Sequence, residues 1–203
     1  KFTAFQLSPA KYFNGTAFVD GAENAAPWLS GTTSVYTSSA SWSYDTSGVV
    51  WASGYSYRVR ARAKDVAGNY DTVYATAAFL FDNAAPVSAV TVPADGLHMN
   101  SMLATLSGTT GDSGSSGVNQ VSVYLQRASD NKYWDNGENW FVDAQSLPAD
   151  LFTNSFSLDI NPVMFSDGEL YRIYTGATDA AGNSEGMALK AVFVYDVKNP
   201  TAA

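Results

Sequence analysis

Few residues in this chain have the types and spacing needed for chemistry. It has 203 residues, no cysteine and one histidine, His98, so thiolate nucleophiles, disulfides and cysteine-based metal or cluster sites are excluded. A Ser-His-Asp triad would have to use His98, which stands in the polar run Asp95-Gly96-Leu97-His98-Met99-Asn100 and reads as part of an exposed loop between strands. Paired carboxylates for glycoside hydrolysis can be nominated, for instance Asp135 with Glu138. Nothing in the sequence fixes their separation or sets their pKa values apart. Serines are plentiful, yet Gly111-Asp112-Ser113-Gly114 reads as a flexible loop and not as a nucleophile elbow between a strand and a helix. No catalytic residue is assigned, and the chain is read as a non-enzyme.

Charge narrows the partners. The formal net charge is -8, and all of the excess lies in the second half: Lys1 to Pro86 carries six basic and six acidic residues, Val87 to Ala203 five and thirteen. Nucleic acid and anionic membrane both want Lys and Arg, so neither is expected as a partner. The acidity suits divalent cations, and it also suits a solvated surface that keeps the protein soluble. No apolar run approaches the roughly 20 residues needed to span a bilayer, so no membrane insertion is expected in this segment. The low charged fraction, 15%, with Ser, Thr, Asn and Gly between aromatics, is how secreted β-proteins read.

The elements follow from an internal repeat. Tyr57-Arg58-Val59-Arg60-Ala61-Arg62-Ala63-Lys64-Asp65-Val66-Ala67-Gly68-Asn69 lies over Tyr171-Arg172-Ile173-Tyr174-Thr175-Gly176-Ala177-Thr178-Asp179-Ala180-Ala181-Gly182-Asn183 at a constant offset of 114. The same offset pairs Trp42 with Phe156, Trp51 with Phe165, Phe79 with Phe193, Asp82 with Asp196 and Pro86 with Pro200. Farther upstream, at a slightly larger offset, Lys11-Tyr12-Phe13 and Phe18-Val19-Asp20 match Lys132-Tyr133-Trp134 and Phe141-Val142-Asp143. Tyr55, Tyr57, Val59, Ala61 and Ala63 alternate with polar residues, as in a strand with one buried and one wet face. Trp42 and Trp51, matched by phenylalanines, are expected in the core. Ala149 to Phe152, after Pro148, could form one short helical turn.

Each Asp-x-Ala-Gly-Asn segment joins two strands and reads as a hairpin connection, with Gly and Asn at positive φ and the Asp carboxylate bonding back to turn NH groups. A strand Tyr-x-Val/Ile-x-x-x-Ala, then Asp-x-Ala-Gly-Asn, then a strand closing on Asp with Pro four residues later, resembles the immunoglobulin-like repeats of large bacterial surface proteins and adhesins. The likeness is sharpest over Tyr57 to Pro86 and Tyr171 to Pro200. It implies an all-β fold of two tandem immunoglobulin-like β-sandwich modules, the first lacking its N-terminal strands. The boundaries are 1–84 for the partial module and 85–198 for the complete one, with 199–203 as the start of a linker or next module.

The resemblance also implies Ca²⁺ at module junctions, bound through Asp residues of the late hairpin, the linker and the next module. The matching positions are Asp65 and Asp82 for the first junction with Asp112 contributed by the second module, and Asp179 and Asp196 for the junction after Pro200. Carbonyls or waters must complete the shell of six to eight oxygens. A separate expectation concerns sugar binding: Tyr133, Trp134 and Trp140 fall in a Gly-, Asn- and Asp-rich stretch and are candidates for an exposed stacking platform, or for aromatics that cover a sheet edge.

The expected function is a structural or adhesive segment of a large extracellular or cell-surface repeat protein: a stalk, fibre or adhesin. Its partners would be further copies of the repeat, in the same or a neighbouring chain, and polysaccharide or a cell surface. The competing expectation is a carbohydrate-binding accessory module of a secreted protein.

Overall fold

The protein is described by a computed structural model covering residues 1–33, 41–137, 139–160 and 165–200. Contacts divide the chain into two compact units, Lys1–Asp82 and Asn83–Ala203. Both are all-β, built mainly from antiparallel sheets, and among the described residues the helical content is one 3₁₀ turn, Glu23–Ala25.

The first unit contains β1 (Phe2–Gln6), β2 (Lys11–Phe13), β3 (Phe18–Asp20), β4 (Thr32–Thr33), β5 (Trp42–Ser43), β6 (Tyr55–Ala61) and β7 (Ala75–Phe81). Five of these make a sheet in the order β3-β2-β1-β6-β7, and β4 pairs with β5. Phe2, Ala4, Phe13 and Val49 are buried together, with Phe18, Leu29, Tyr44, Trp51 and Val59 packed against them.

The second unit contains β8 (Val87–Val92), β9 (Leu97–Met99), β10 (Thr105–Gly111), β11 (Val118–Arg127), β12 (Tyr133–Trp134), β13 (Trp140–Phe141), β14 (Leu147–Pro148), β15 (Asp150–Leu151), β16 (Ser155–Asp159), β17 (Glu169–Asp179) and β18 (Ala188–Tyr195). One sheet runs β15-β16-β10-β8. The other runs β13-β12-β11-β17-β18-β9, with β14 also on β11 and β9 parallel to β18. Alternate residues point inward from both: Leu106, Phe156 and Leu158 from the first sheet meet Val121, Val123, Leu125, Tyr171, Ile173 and Phe193 from the second. Burying each such side chain contributes roughly 1.5–3 kcal/mol, which is what holds two sheets face to face as a sandwich.

The two units share a ladder register. In the first, Phe2↔Ala61 and Gln6↔Tyr57 are partners; in the second, Val123↔Thr175 and Arg127↔Tyr171 are. Tyr57↔Phe79 corresponds to Tyr171↔Phe193, and Phe2↔Leu29 to Val123↔Leu147. Thr33↔Trp42 corresponds to Leu151↔Phe156. A side-chain device recurs as well. The Ala52 NH donates to Tyr57 Oη at 2.8 Å and the Ser166 NH to Tyr171 Oη at 2.9 Å, so each ring is tied to the chain five residues upstream.

Four sequence expectations are corrected. Residues 149–152 form no helical turn, because β15 pairs with β16 there and satisfies its backbone as a strand. His98 lies in the edge strand β9 and not in a loop, although its side chain is exposed. The counterpart of Phe18 is Trp140 and not Phe141, since Phe13↔Phe18 matches Trp134↔Trp140. Trp42 is 50% exposed where Phe156 is 1% exposed: among the described residues, no strand of the first unit stands where β8 and β10 cover Phe156.

Candidate metal centre

Asp112 directly follows β10, and Asp179 is the last residue of β17. Two backbone constraints bring them together: Val118, at the start of β11, pairs with Asp179, and the Ala180 NH donates to the Gly117 carbonyl at 3.0 Å. A carboxylate oxygen of Asp112 then lies within 4.8 Å of one of Asp179. Asp112 shapes its own loop, accepting from the Gly114 NH at 2.9 Å and the Gly117 NH at 2.7 Å. The loop includes Ser115 at φ 68°, a left-handed position for a non-glycine residue.

Asp179 is only 2% exposed, and its carboxylate accepts from the Asn183 NH and from Asn183 Nδ2, both at 2.8 Å. Asp65 does the same with Asn69 at 2.8 Å through each oxygen, but on the surface. Those bonds, the side-chain amide first, hold the Asp65 carboxyl below its ordinary value of 3.8. Only the glycines of the two turns, Gly68 and Gly182, have positive φ; Asn69 and Asn183 do not, which corrects that part of the turn expectation.

Two carboxylates this close repel each other by about 3 kcal/mol at an effective dielectric constant of 20. Among the described residues no cation forms a salt bridge with either. A divalent cation between them would turn that repulsion into attraction. The donors are all oxygen, which suits Ca²⁺ or Mg²⁺ and not a thiolate- or imidazole-seeking metal.

Register also separates residues that the sequence had grouped. In the β6–β7 hairpin, Ala61↔Ala75 lies near the connecting turn and Tyr55↔Phe81 at the far end. Six residue steps of about 3.3 Å therefore set Asp65 and Asp82 roughly 20 Å apart, at opposite ends of the ladder. Asp179 and Asp196 are divided in the same way by β17 and β18. Neither pair can share an ion. Asp82 closes the first unit and accepts from Ser53 Oγ at 3.1 Å, while Asp196 is exposed and accepts from the Lys198 NH at 3.2 Å.

The expected aromatic platform is not an exposed face. Trp134 is 1% exposed and belongs to the core, with Trp140 5.4 Å away between ring centroids. Trp140 and Tyr133 are half-buried. The Arg127 guanidinium stands 4.7 Å from the centroid of Trp140, and Tyr133 packs edge-on to Tyr124. The turn between β12 and β13 is shaped by Asp135, which accepts from the Gly137 NH at 2.7 Å and the Asn139 NH at 3.1 Å; Glu138 lies outside the described residues.

One polar cluster carries no sequence motif. Ser88 of β8 and Thr175 of β17, both buried, share a hydrogen bond of 2.7 Å between the two sheets. Ser88 Oγ donates to Glu185 Oε2 and Lys190 Nζ to Glu185 Oε1, each at 2.6 Å. Burial alone would raise the Glu185 carboxyl, but the bonds from Lys190 and Ser88 outweigh it and hold the group below its ordinary 4.5. The signal was weak because Ser88 and Glu185 are 97 positions apart and belong to no motif.

No family model matches the chain, and no curated protein does.

Proposed function

We propose that the chain is a structural or adhesive segment of a large extracellular repeat protein, built of tandem immunoglobulin-like modules. The observation that carries this reading is the shared register: two ladders with the same partner residues, at offsets already visible in the sequence. The strand order supports the immunoglobulin-like part. An antiparallel sheet β8-β10-β16-β15 faces one containing β11-β17-β18, which is the ABED and CFG arrangement of such sandwiches. Tyr57 and Tyr171, each tied to backbone upstream at the start of its strand, resemble the tyrosine corner of that fold.

In this reading Asp112 and Asp179 hold Ca²⁺ at the end of the module where β8 begins. Waters and carbonyls complete the shell. Asp65 and Asp196 belong to other module ends. An antibody against residues 83–200 should label intact, unpermeabilised cells of the source organism; labelling that requires permeabilisation would overturn the surface assignment. Calcium binding is checked separately by the thermal midpoint in calcium against chelator.

A further inference from the structure

We infer that the open face of the first unit is a receptor for a strand segment with the pattern of Val87–Val121, one that feeds into β1 as Val87–Val121 feeds into β11. Three observations carry this, and none depends on calcium or on the cell-surface reading. First, register makes β1 the counterpart of Val123–Arg127 and β7 the counterpart of the β18 stretch around Phe193. In the second unit that framework is covered by β8 and β10, with β8 lying across β17 and β18, and its edge is closed by β9, which pairs Leu97 with Phe193. Among the described residues the first unit has no strand in any of those three places.

Second, exposure differs at matched positions. Phe79 is 38% exposed and Phe193 0%; Trp42 and Phe156 differ in the same way, as do Ala77 and Ala191. The residues left open are those that meet Leu106 and its neighbours in the complete sandwich.

Third, β7 reads Ala75-Thr76-Ala77-Ala78-Phe79-Leu80-Phe81, with no charge, no proline and no bulge in its pairing with β6. Natural edge strands carry such features to prevent pairing. A strand without them is built to be paired on both sides. The occupant is therefore specific: two antiparallel strands placing Leu and Val side chains on Trp42 and Phe79, and a short strand running parallel to β7 opposite Phe79–Phe81. Strand addition of this kind takes its affinity from the backbone ladder and its selectivity from alternate side chains.

The test joins a second copy of residues 87–121 directly to Lys1 of the full chain. The register fits, because Lys1 falls at the position of Ser122. Amide hydrogen exchange over Phe79–Asp82 should slow by at least about ten-fold, as an open edge becomes an internal strand. Binding of a hydrophobic dye should fall at the same time. The same fusion with Leu106→Asp in the added copy should restore both signals, which separates docking from mere extension. Unchanged exchange and dye binding in the fusion would overturn the inference. So would an unmodified chain that is already a dimer with Phe79–Asp82 protected, because a second copy would then be the occupant.

Discussion

Asp179 and Asp65 occupy the same place in two similar turns and make the same bonds to an asparagine four residues on, but only Asp179 is buried. Removing a buried hydrogen-bonded carboxylate leaves its donors unsatisfied, at about 1–3 kcal/mol. With Ca²⁺ present to offset the repulsion from Asp112, Asp179→Ala should therefore lower the stability of the second unit by at least about that amount in urea denaturation, and Asp65→Ala should cost the first unit distinctly less. Glu185 supplies a pH test at the same scale. Its folded pKa is depressed, so its contribution is present above the unfolded value near 4.5 and is lost as pH falls through the lower folded value. Acid should weaken the second unit below that point. Glu185→Gln should flatten this part of the stability–pH curve and cost about 1–3 kcal/mol at neutral pH, measured by denaturant titration.

The long ladders were legible as elements and the short ones were not. Strands such as β6 and β17 have five or more alternating positions, enough for a period of two to stand out. β12 to β15 have two residues each and carry no period, so the burial of Trp134 could not be read from the polar residues around it. The metal candidates illustrate the same limit. The right residue type was visible at Asp112 and Asp179, but the ladder length that parts Asp65 from Asp82 entered only with the pairing. Packing between elements sets a further expectation. A Cβ on Gly108 of β10 would collide with the Ala89 carbonyl oxygen and the Phe156 ring. Gly108→Ala should cost the second unit about 3 kcal/mol or more, seen as an earlier unfolding midpoint. Tyr171→Phe leaves the ring packed and removes only the bond at the Ser166 NH, so a loss of about 1 kcal/mol is expected in the same assay.

At the scale of the whole molecule, calcium should stabilise the second unit by about 2.7 kcal/mol at a hundredfold excess over its dissociation constant. Asp112→Asn should abolish that gain, and a thermal midpoint unmoved by chelator in the unaltered protein would remove the ion from the account. The edge strand β9 has its own consequence. It follows β8 near the amino end of the second unit and runs parallel to β18, which closes the unit. Tension applied to the two ends of this unit pulls these neighbours along their lengths in opposite directions. Their hydrogen bonds then bear the force together, in shear, and cannot be peeled apart one after another as in a hairpin opened from its free ends.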